Sequence, residues 1–372
     1  MPLTVLQLSR LADLADQGFD AVIDVRSPSE YAEDHLPGAI NLPVMDDAER
    51  ARVGTIYKQQ SPFLARKIGA ALVARNAARH LEGPLADKGG GWRPLVYCWR
   101  GGQRSGSFAT ILSQVGWRVS VVQGGYKAWR GLVVDAVYNR PVPAPVIVLD
   151  GNTGTAKTDV LAGLAERGVQ VVDLEGLANH RGSLFGARPG GQPSQKAFEG
   201  RLAMAFAGLD PSRPVVVEAE SSKIGNLALP RPLWAAMVAA PRLRIVAPRA
   251  VRAEYLARAY ADLCADPGEL DAVIRKLRPL HAAEVIADWS ALAANGGFVA
   301  LADALMERHY DPRYEKHRAR FAEAAVVETD SLRPEAIGPL ADRVAAGVAD
   351  LAGRARRAAE ASGGDAAARA KA

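Results

Sequence analysis

The 372-residue sequence holds only two cysteines, Cys98 and Cys264, far too few for a disulfide framework. A lone thiol stays reduced in the cytoplasm, which is the expected compartment. No run of 18 or more apolar residues occurs, so no membrane-spanning helix is expected. The opening Met1-Pro2-Leu3-Thr4-Val5 has no basic segment leading into an apolar one, and a secretory leader is not expected. Internal repeats are also missing. What remains is an ordinary globular composition, 49% apolar and 23% charged, long enough for two domains because single cores rarely grow past about 250–300 residues. The formal charge of +5 suits a polyanionic partner, since phosphates are bound largely through positive charge. Many basic enzymes nevertheless touch no nucleic acid.

Short apolar strands alternate with helical stretches, the pattern of an α/β fold with parallel sheets covered on both faces. In the first part the strands read as Ala21–Val25, Leu95–Tyr97 and Val119–Val122, with helices around Arg66–His80 and Ser105–Val115. Three prolines within Pro141–Pro145 make a stiff, hydrogen-bond-poor connector. The expected layout is therefore a first domain over 1–138, a linker over 139–145, a second domain over 146–352 with a helical C-terminal part, and a flexible tail over 353–372. In the second domain strands are expected at Val146–Asp150, Val169–Leu174, Pro214–Glu218, Leu243–Val246 and Val326–Glu328. The tail is rich in Ala, Arg and Gly and has little to bury.

The strongest local signal is Tyr97-Cys98-Trp99-Arg100-Gly101-Gly102-Gln103-Arg104-Ser105. Cys98 directly follows a strand, where ligand sites of parallel sheets lie. The paired glycines Gly101 and Gly102 let backbone N–H groups turn inward as an anion nest. Those donors, Arg104 and the N-terminus of the helix beginning near Ser105 favour a thiolate, the form that attacks sulfur, selenium or phosphorus. Cys, five residues, then Arg is a spacing that cradles a tetrahedral oxyanion. Trp99, Arg100 and Gln103 complete the loop. A free cysteine is usually inert and buried, and Cys264, on a helical stretch, is read that way.

The second signal is Gly151-Asn152-Thr153-Gly154-Thr155-Ala156-Lys157-Thr158, a phosphate-loop pattern between strand and helix, with Ala156 where glycine is usual. Lys157 is placed to contact terminal phosphate oxygens and Thr158 to reach a metal ion. Glu218 and Glu220 end an acidic strand and can hold a metal, act as acid or base, or cap the strand. The Gly-rich segment from Asp173 to Gly186 reads as a substrate loop, with His180 as an acid or base candidate, Arg181 as an anion contact and Ser183 beside them. The stretch Arg308–Tyr314 reads as a lid, an RNA-facing surface or a solvated helix end.

Taken together, these motifs carry a family resemblance. Asp24-Val25-Arg26-Ser27-Pro28-Ser29-Glu30-Tyr31, then His35 to Pro43, and Gly124-Gly125-Tyr126-Lys127-Ala128-Trp129 resemble the opening and closing segments of a rhodanese domain. The Cys98 loop is one residue longer than the usual sulfurtransferase loop, which implies a larger anion. A rhodanese domain followed by a phosphate-loop domain is similar to the tRNA 2-selenouridine synthase family. Val53–Gln59 and Ser222–Asn226 also look like that family. The resemblance implies a cytoplasmic transferase that geranylates the sulfur of wobble 2-thiouridine in tRNA, then replaces that sulfur with selenium. It implies selenophosphate and geranyl diphosphate as substrates, no tightly bound cofactor, and Mg²⁺ as a possible companion. By this reading Cys98 accepts selenium while Arg104 and the loop amides hold the departing phosphate, and the 151–158 loop grips the diphosphate. The tRNA-facing region is expected around Arg242, Arg244, Arg249, Arg252, Arg258, Arg275, Lys276 and Arg278. Competing readings are a rhodanese-type sulfurtransferase or cysteine phosphatase with a nucleotide-binding regulator, and a small-molecule kinase with a docking module.

Overall fold

The computed structural model describes residues 3–14, 18–318, 320–321 and 323–369. It divides into two compact units, Met1–Arg140 with Pro193–Gly208, and Pro141–Gln192 with Leu209–Ala372. The break at residue 140 falls in the proline-rich connector. A helix from within the second stretch of sequence, Gln195–Ala207, clusters with the first unit.

The first unit holds strands β1 (Thr4–Leu6), β2 (Ala21–Asp24), β3 (Ala39–Asn41), β4 (Pro94–Tyr97) and β5 (Ser120–Val122). They form one parallel sheet in the order β1-β5-β4-β2-β3. All four residues of β4 are buried, as a central parallel strand covered on both faces requires. The chain leaves β2 toward β3 on one side and β4 toward β5 on the other. The crevice between the carboxyl ends of β2 and β4 is therefore where the winding reverses and a ligand belongs. Ile23, Val25, Val96, Phe108, Leu112 and Trp117 are buried in one cluster that fixes these strands against their helices. The strands β1 and β3 and the helix Asp47–Gln59 add to the elements expected from sequence. In the helix Gln195–Ala207, Glu199 is 3% exposed and accepts from Arg130 and, at 2.6 Å, from the Tyr138 hydroxyl. Lys196 pairs with Glu33 at 2.6 Å.

The second unit holds β6 (Val146–Gly151), β7 (Gln170–Val172), β8 (Val215–Glu218), a two-stranded ribbon of β9 (Lys223–Ile224) and β10 (Leu227–Ala228), β11 (Arg242–Val246) and β12 (Glu323–Glu328). The main sheet is parallel in the order β12-β11-β6-β8-β7. Every residue of β6 is buried, and the helix that follows its loop, Lys157–Glu166, packs Val160, Leu161 and Leu164 into the core. A second apolar cluster, with Leu270, Ile274, Trp289 and Leu301, binds the helices between residues 260 and 310. The last helix runs Pro334–Arg369, and the segment expected as a frayed helix or disorder continues it. Residues 370–372 of that tail lie outside the described residues.

Candidate active site

Cys98 lies directly beyond β4 and is 3% exposed. One flank of its side chain meets the apolar cluster of the first unit; the other meets hydrogen-bond donors. Burial alone would push the thiol up. The Ser105 hydroxyl and amide, the positive charge of Arg104 and the Arg100 amide outweigh it and hold the thiol below its ordinary value. The Ser105 Oγ stands 3.2 Å from the sulfur and 3.3 Å from the Gly102 carbonyl. Its single hydrogen serves the sulfur when the sulfur is ionised.

The loop rests on a shelf made by the Gly124-Gly125-Tyr126 turn. The Tyr126 amide donates to the Cys98 carbonyl at 2.8 Å and the Lys127 amide to the Trp99 carbonyl at 2.9 Å. Gly125 has φ +57, and a Cβ there would sit 2.2 Å from the Cys98 carbonyl oxygen. Any side chain at this position would force the loop off its shelf. Behind it, Arg26 is 1% exposed, pairs with Asp24 at 2.6 Å and lies 4.1 Å from the Tyr126 ring centre. The Asp24 and Arg26 pair thus buttresses the shelf.

Arg104 is held by Glu30, at 2.7 Å through Nη1 and 3.4 Å through Nη2. Burial pushes the Glu30 carboxyl up, but Arg104 brings it below its usual range. Glu30 belongs to the motif quoted from sequence, yet its partnership with a residue 74 positions away has no sequence signal. Gln103 and Arg104 open the helix Gln103–Val115, with Gly102 as its cap.

In the second unit, the 151–158 loop wraps the end of β6. The amine of Lys157 donates to the Gly151 carbonyl at 3.0 Å, curling over the loop as a phosphate-contacting lysine does. Ala156 adopts φ +56 and ψ +32, the left-handed conformation that favours glycine; alanine is tolerated there because its methyl packs into the core. Gly154, at φ +85, has Leu256 and the Arg252 carbonyl within about 3 Å of where a Cβ would stand, so the loop is closed by the helix Arg249–Ala259. Asn152 donates to Asp311 at 2.9 Å, and Lys157 lies 5.9 Å from the Tyr314 ring centre. The stretch read as lid or surface is therefore a wall of this site.

A polar cavity of ≈ 260 Å³ opens at the loop. Residues 153–158, Arg181, Ser183, Glu218 and Glu220 line it, together with Glu175 and Arg188, which were not singled out from sequence. Thr158 donates to Glu175 at 3.2 Å. Glu175 and Glu220 face each other so closely that a Cβ on Gly182 would meet both at 2.6 Å. Burial, then the neighbouring carboxylate, raises Glu220 well above the usual carboxylate range. Glu218 is raised too, by burial and then by Asp173; one oxygen accepts the Glu175 amide at 2.7 Å and the other is buried without a partner. Glu218 and Thr158 both line the cavity, and Thr158 already donates to Glu175. Among the described residues no group of three or more His, Cys, Asp or Glu side chains is arranged to hold a metal.

His180 does not line this cavity. Burial and then Arg188 and Arg181 lower its pKa, so the ring is neutral, and its Nδ1 accepts the Gly182 amide at 3.1 Å. Arg181 pairs with Asp262 at 2.8 Å. Beside the polar cavity lies a smaller apolar one of ≈ 70 Å³, whose walls include Phe185, Leu263, Phe298, Leu301 and Leu305. Thr153, Ser183, Leu256 and Tyr260 border both. Cys264 faces this apolar space, its thiol pushed up by burial and Asp262.

The arginines expected to face tRNA are mostly occupied. Arg242 and Arg252 are 3% and 5% exposed and pair with Asp150 and Asp311. Arg249 pairs with Asp303 and Glu307, and Arg275 with Asp271. Arg258 donates to the Leu332 carbonyl at 2.6 Å. A buried ion pair cannot be lent to a partner without a large cost, which removes Arg242 and Arg252 from any RNA surface.

Among the described residues no helix is long and apolar enough to cross a membrane. Residues 7–132 match the rhodanese-like domain family, and residues 144–272 match the tRNA 2-selenouridine synthase AAA domain. The tRNA 2-selenouridine synthase of Aeromonas salmonicida is 40% identical over 259 residues, 68% of this chain and 69% of that protein. That of Pseudomonas syringae pv. tomato is 32% identical over 361 residues, 87% of this chain and 94% of that protein. Among solved structures, the N-terminal domain of a Clostridium difficile protein described as ATP/GTP binding is 36% identical, covers 35% of this chain and 99% of that one, and has a TM-score of 0.31. With the Cys98 loop and the 151–158 loop both in place, the chain belongs to the tRNA 2-selenouridine synthase family.

Proposed function

We propose that the protein is a cytoplasmic tRNA 2-selenouridine synthase that works in two stages. In the first, the sulfur of wobble 2-thiouridine attacks the C1 carbon of geranyl diphosphate, the C–O bond breaks, and diphosphate leaves. In the second, selenide displaces the geranylthio group at C2 of the base. The observation that carries the first stage is the apolar cavity contiguous with the phosphate loop. A diphosphate bearing an apolar tail matches the chemistry of both halves, and the apolar half, at ≈ 70 Å³, must widen as the geranyl chain enters. A nucleoside, with its polar ribose and base edges, matches only one. Lys157 and the loop amides would hold the diphosphate and take up its growing charge as it departs.

Cys98 serves the second stage. Moving selenium onto the sulfur as the notional neutral atom would leave phosphorus reduced, and nothing in the reaction reoxidises it. Attack of the Cys98 thiolate on phosphorus balances instead. An S–P bond forms, the P–Se bond breaks, and selenide leaves with the electron pair; water then cleaves the S–P bond to return the thiol and phosphate. When selenophosphate carries a proton on selenium, the leaving group is hydrogen selenide ion, a weak base that needs no general acid, while the loop amides and Arg104 hold the phosphoryl oxygens. The test is mass analysis of nucleosides from tRNA incubated with the protein, geranyl diphosphate and selenophosphate. Cys98→Ser should abolish selenation and leave the geranylated nucleoside measurable. Loss of both products from a folded variant would overturn the division of labour.

A further inference from the structure

Next to the Cys98 loop, within the first unit, is a cavity of ≈ 690 Å³ that neither stage of the chemistry accounts for. One wall is the hairpin formed by the helices Asp47–Gln59 and Pro62–Glu82; the other is the loop itself. Five cations line it and no carboxylate does: Arg50, Lys58, Arg66, Arg100 and Arg104. Arg50 and Arg104 share a single counter-charge, Glu30. Lys58, Arg66 and Arg100 are exposed and form no ion pair among the described residues. Two aromatic rings share the lining. Tyr57 is 55% exposed, so its ring is open to a partner from the cavity side. Trp99 leans on Tyr126 with ring centres 5.3 Å apart, which fixes its orientation.

The size excludes a bare oxyanion as the sole occupant, because cavities of about 300–1,000 Å³ hold ligands of nucleotide dimensions. Unpaired cations beside exposed rings are the means by which proteins hold single-stranded nucleotides, with bases stacked on aromatic faces and phosphates on Lys or Arg. A duplex offers no unstacked base to such rings. We propose that this cavity receives an unstacked nucleotide of the RNA substrate, its base against Tyr57 and Trp99 and its flanking phosphates on Lys58, Arg66 and Arg100. The base is thereby presented to the loop that carries Cys98. The assignment rests on the synthase reading for the identity of the RNA, and on the cavity alone for the site.

The experiment measures binding of the full chain to a fluorescent single-stranded anticodon-loop oligonucleotide containing 2-thiouridine, by anisotropy across a salt series. Tyr57→Ala should weaken binding about tenfold, and Tyr57→Phe should restore it, since the ring and not the hydroxyl does the stacking. Lys58→Ala and Arg66→Ala should each flatten the logarithmic salt dependence by about 0.7. Tyr57 is exposed, so its removal leaves the core intact; an unchanged alkylation rate at Cys98 checks that the loop is undisturbed. Wild-type affinity in Tyr57→Ala and in both cation variants would overturn the site. Competition by inorganic phosphate or by a blunt RNA duplex as effective as by the oligonucleotide would also overturn it. If the binding losses appear but the wild-type protein forms no modified nucleoside, the synthase reading falls and the site stands. If modified nucleosides form while the variants bind normally, the site falls and the reading stands.

Discussion

Ser105→Ala isolates the donor closest to the reactive sulfur. The substitution removes a hydroxyl 3.2 Å from Cys98 Sγ but keeps the Ser105 amide that also acts on it. A hydrogen bond to an ionised group is worth about 1.5–3 kcal/mol, and about 1.4 kcal/mol corresponds to a tenfold change in ionisation. The lower end applies, because the Gly102 carbonyl at 3.3 Å competes for the same hydrogen. The ionisation constant of the Cys98 thiol should therefore fall about tenfold. The sign follows from the direction of the shift: a thiol held below its ordinary value is ionised over more of the neutral range, and losing a donor moves the profile to higher pH. The assay is the rate of iodoacetamide alkylation of Cys98 between pH 5 and 10, followed by intact-protein mass. The variant should be slow at pH 7 and converge on the wild type at the alkaline plateau. Arg104→Gln should shift the profile less, because that guanidinium already shares its charge with Glu30. Overlapping profiles for Ser105→Ala and wild type, in proteins with matching circular dichroism, would refute the account of how the sulfur is ionised.

Three further outcomes concern the second unit. The Glu218 carboxyl is raised by burial and by Asp173, so the folded state binds its proton more tightly than the unfolded chain, and stability is lost as pH rises above the ordinary carboxylate range. Glu218→Gln should accordingly raise the melting temperature at pH 8, with the gain vanishing near pH 4; a gain that does not vary with pH would show that ionisation is not the cause. Ala156→Gly should leave stability within about 1 kcal/mol of wild type, since relief of left-handed strain is offset by a freer unfolded chain and a lost buried methyl. Ala156→Val places a β-branched side chain at the same φ and should cost about 2 kcal/mol or more in urea denaturation.

The two loops were legible because both follow short, uniformly apolar strands and are written in glycine, a cation and a nucleophile or hydroxyl. Ala156 was legible as a departure from pattern, and its positive φ explains why glycine is usual there. Other parts left weaker marks. Strand β1 has only three residues, two of them exposed, too short to show a period. The helix Asp47–Gln59 has one buried residue and no apolar stripe, although Asp46 and Glu49 form a capping box that could have announced it. Glu30 with Arg104, Tyr314 with Lys157 and the apolar cavity are all products of tertiary packing. Segments far apart in the chain build them, and no local spacing encodes that. The loss of Arg242 and Arg252 from the expected RNA region has the same origin: arginines look solvated in one dimension, and only their partners reveal that these two are buried.

Because Pro193–Gly208 belongs to the first unit, the polypeptide passes between the units three times, near residues 140, 192 and 208. Cutting at the proline-rich connector would not release two self-sufficient pieces. A fragment ending at Arg140 would lose the carboxylate that Arg130 and Tyr138 share and the helix that covers them. Ribosomal synthesis faces the same problem, since the first unit cannot finish folding until some seventy later residues have emerged. The sulfur-bearing unit therefore matures only after part of the second unit has been made.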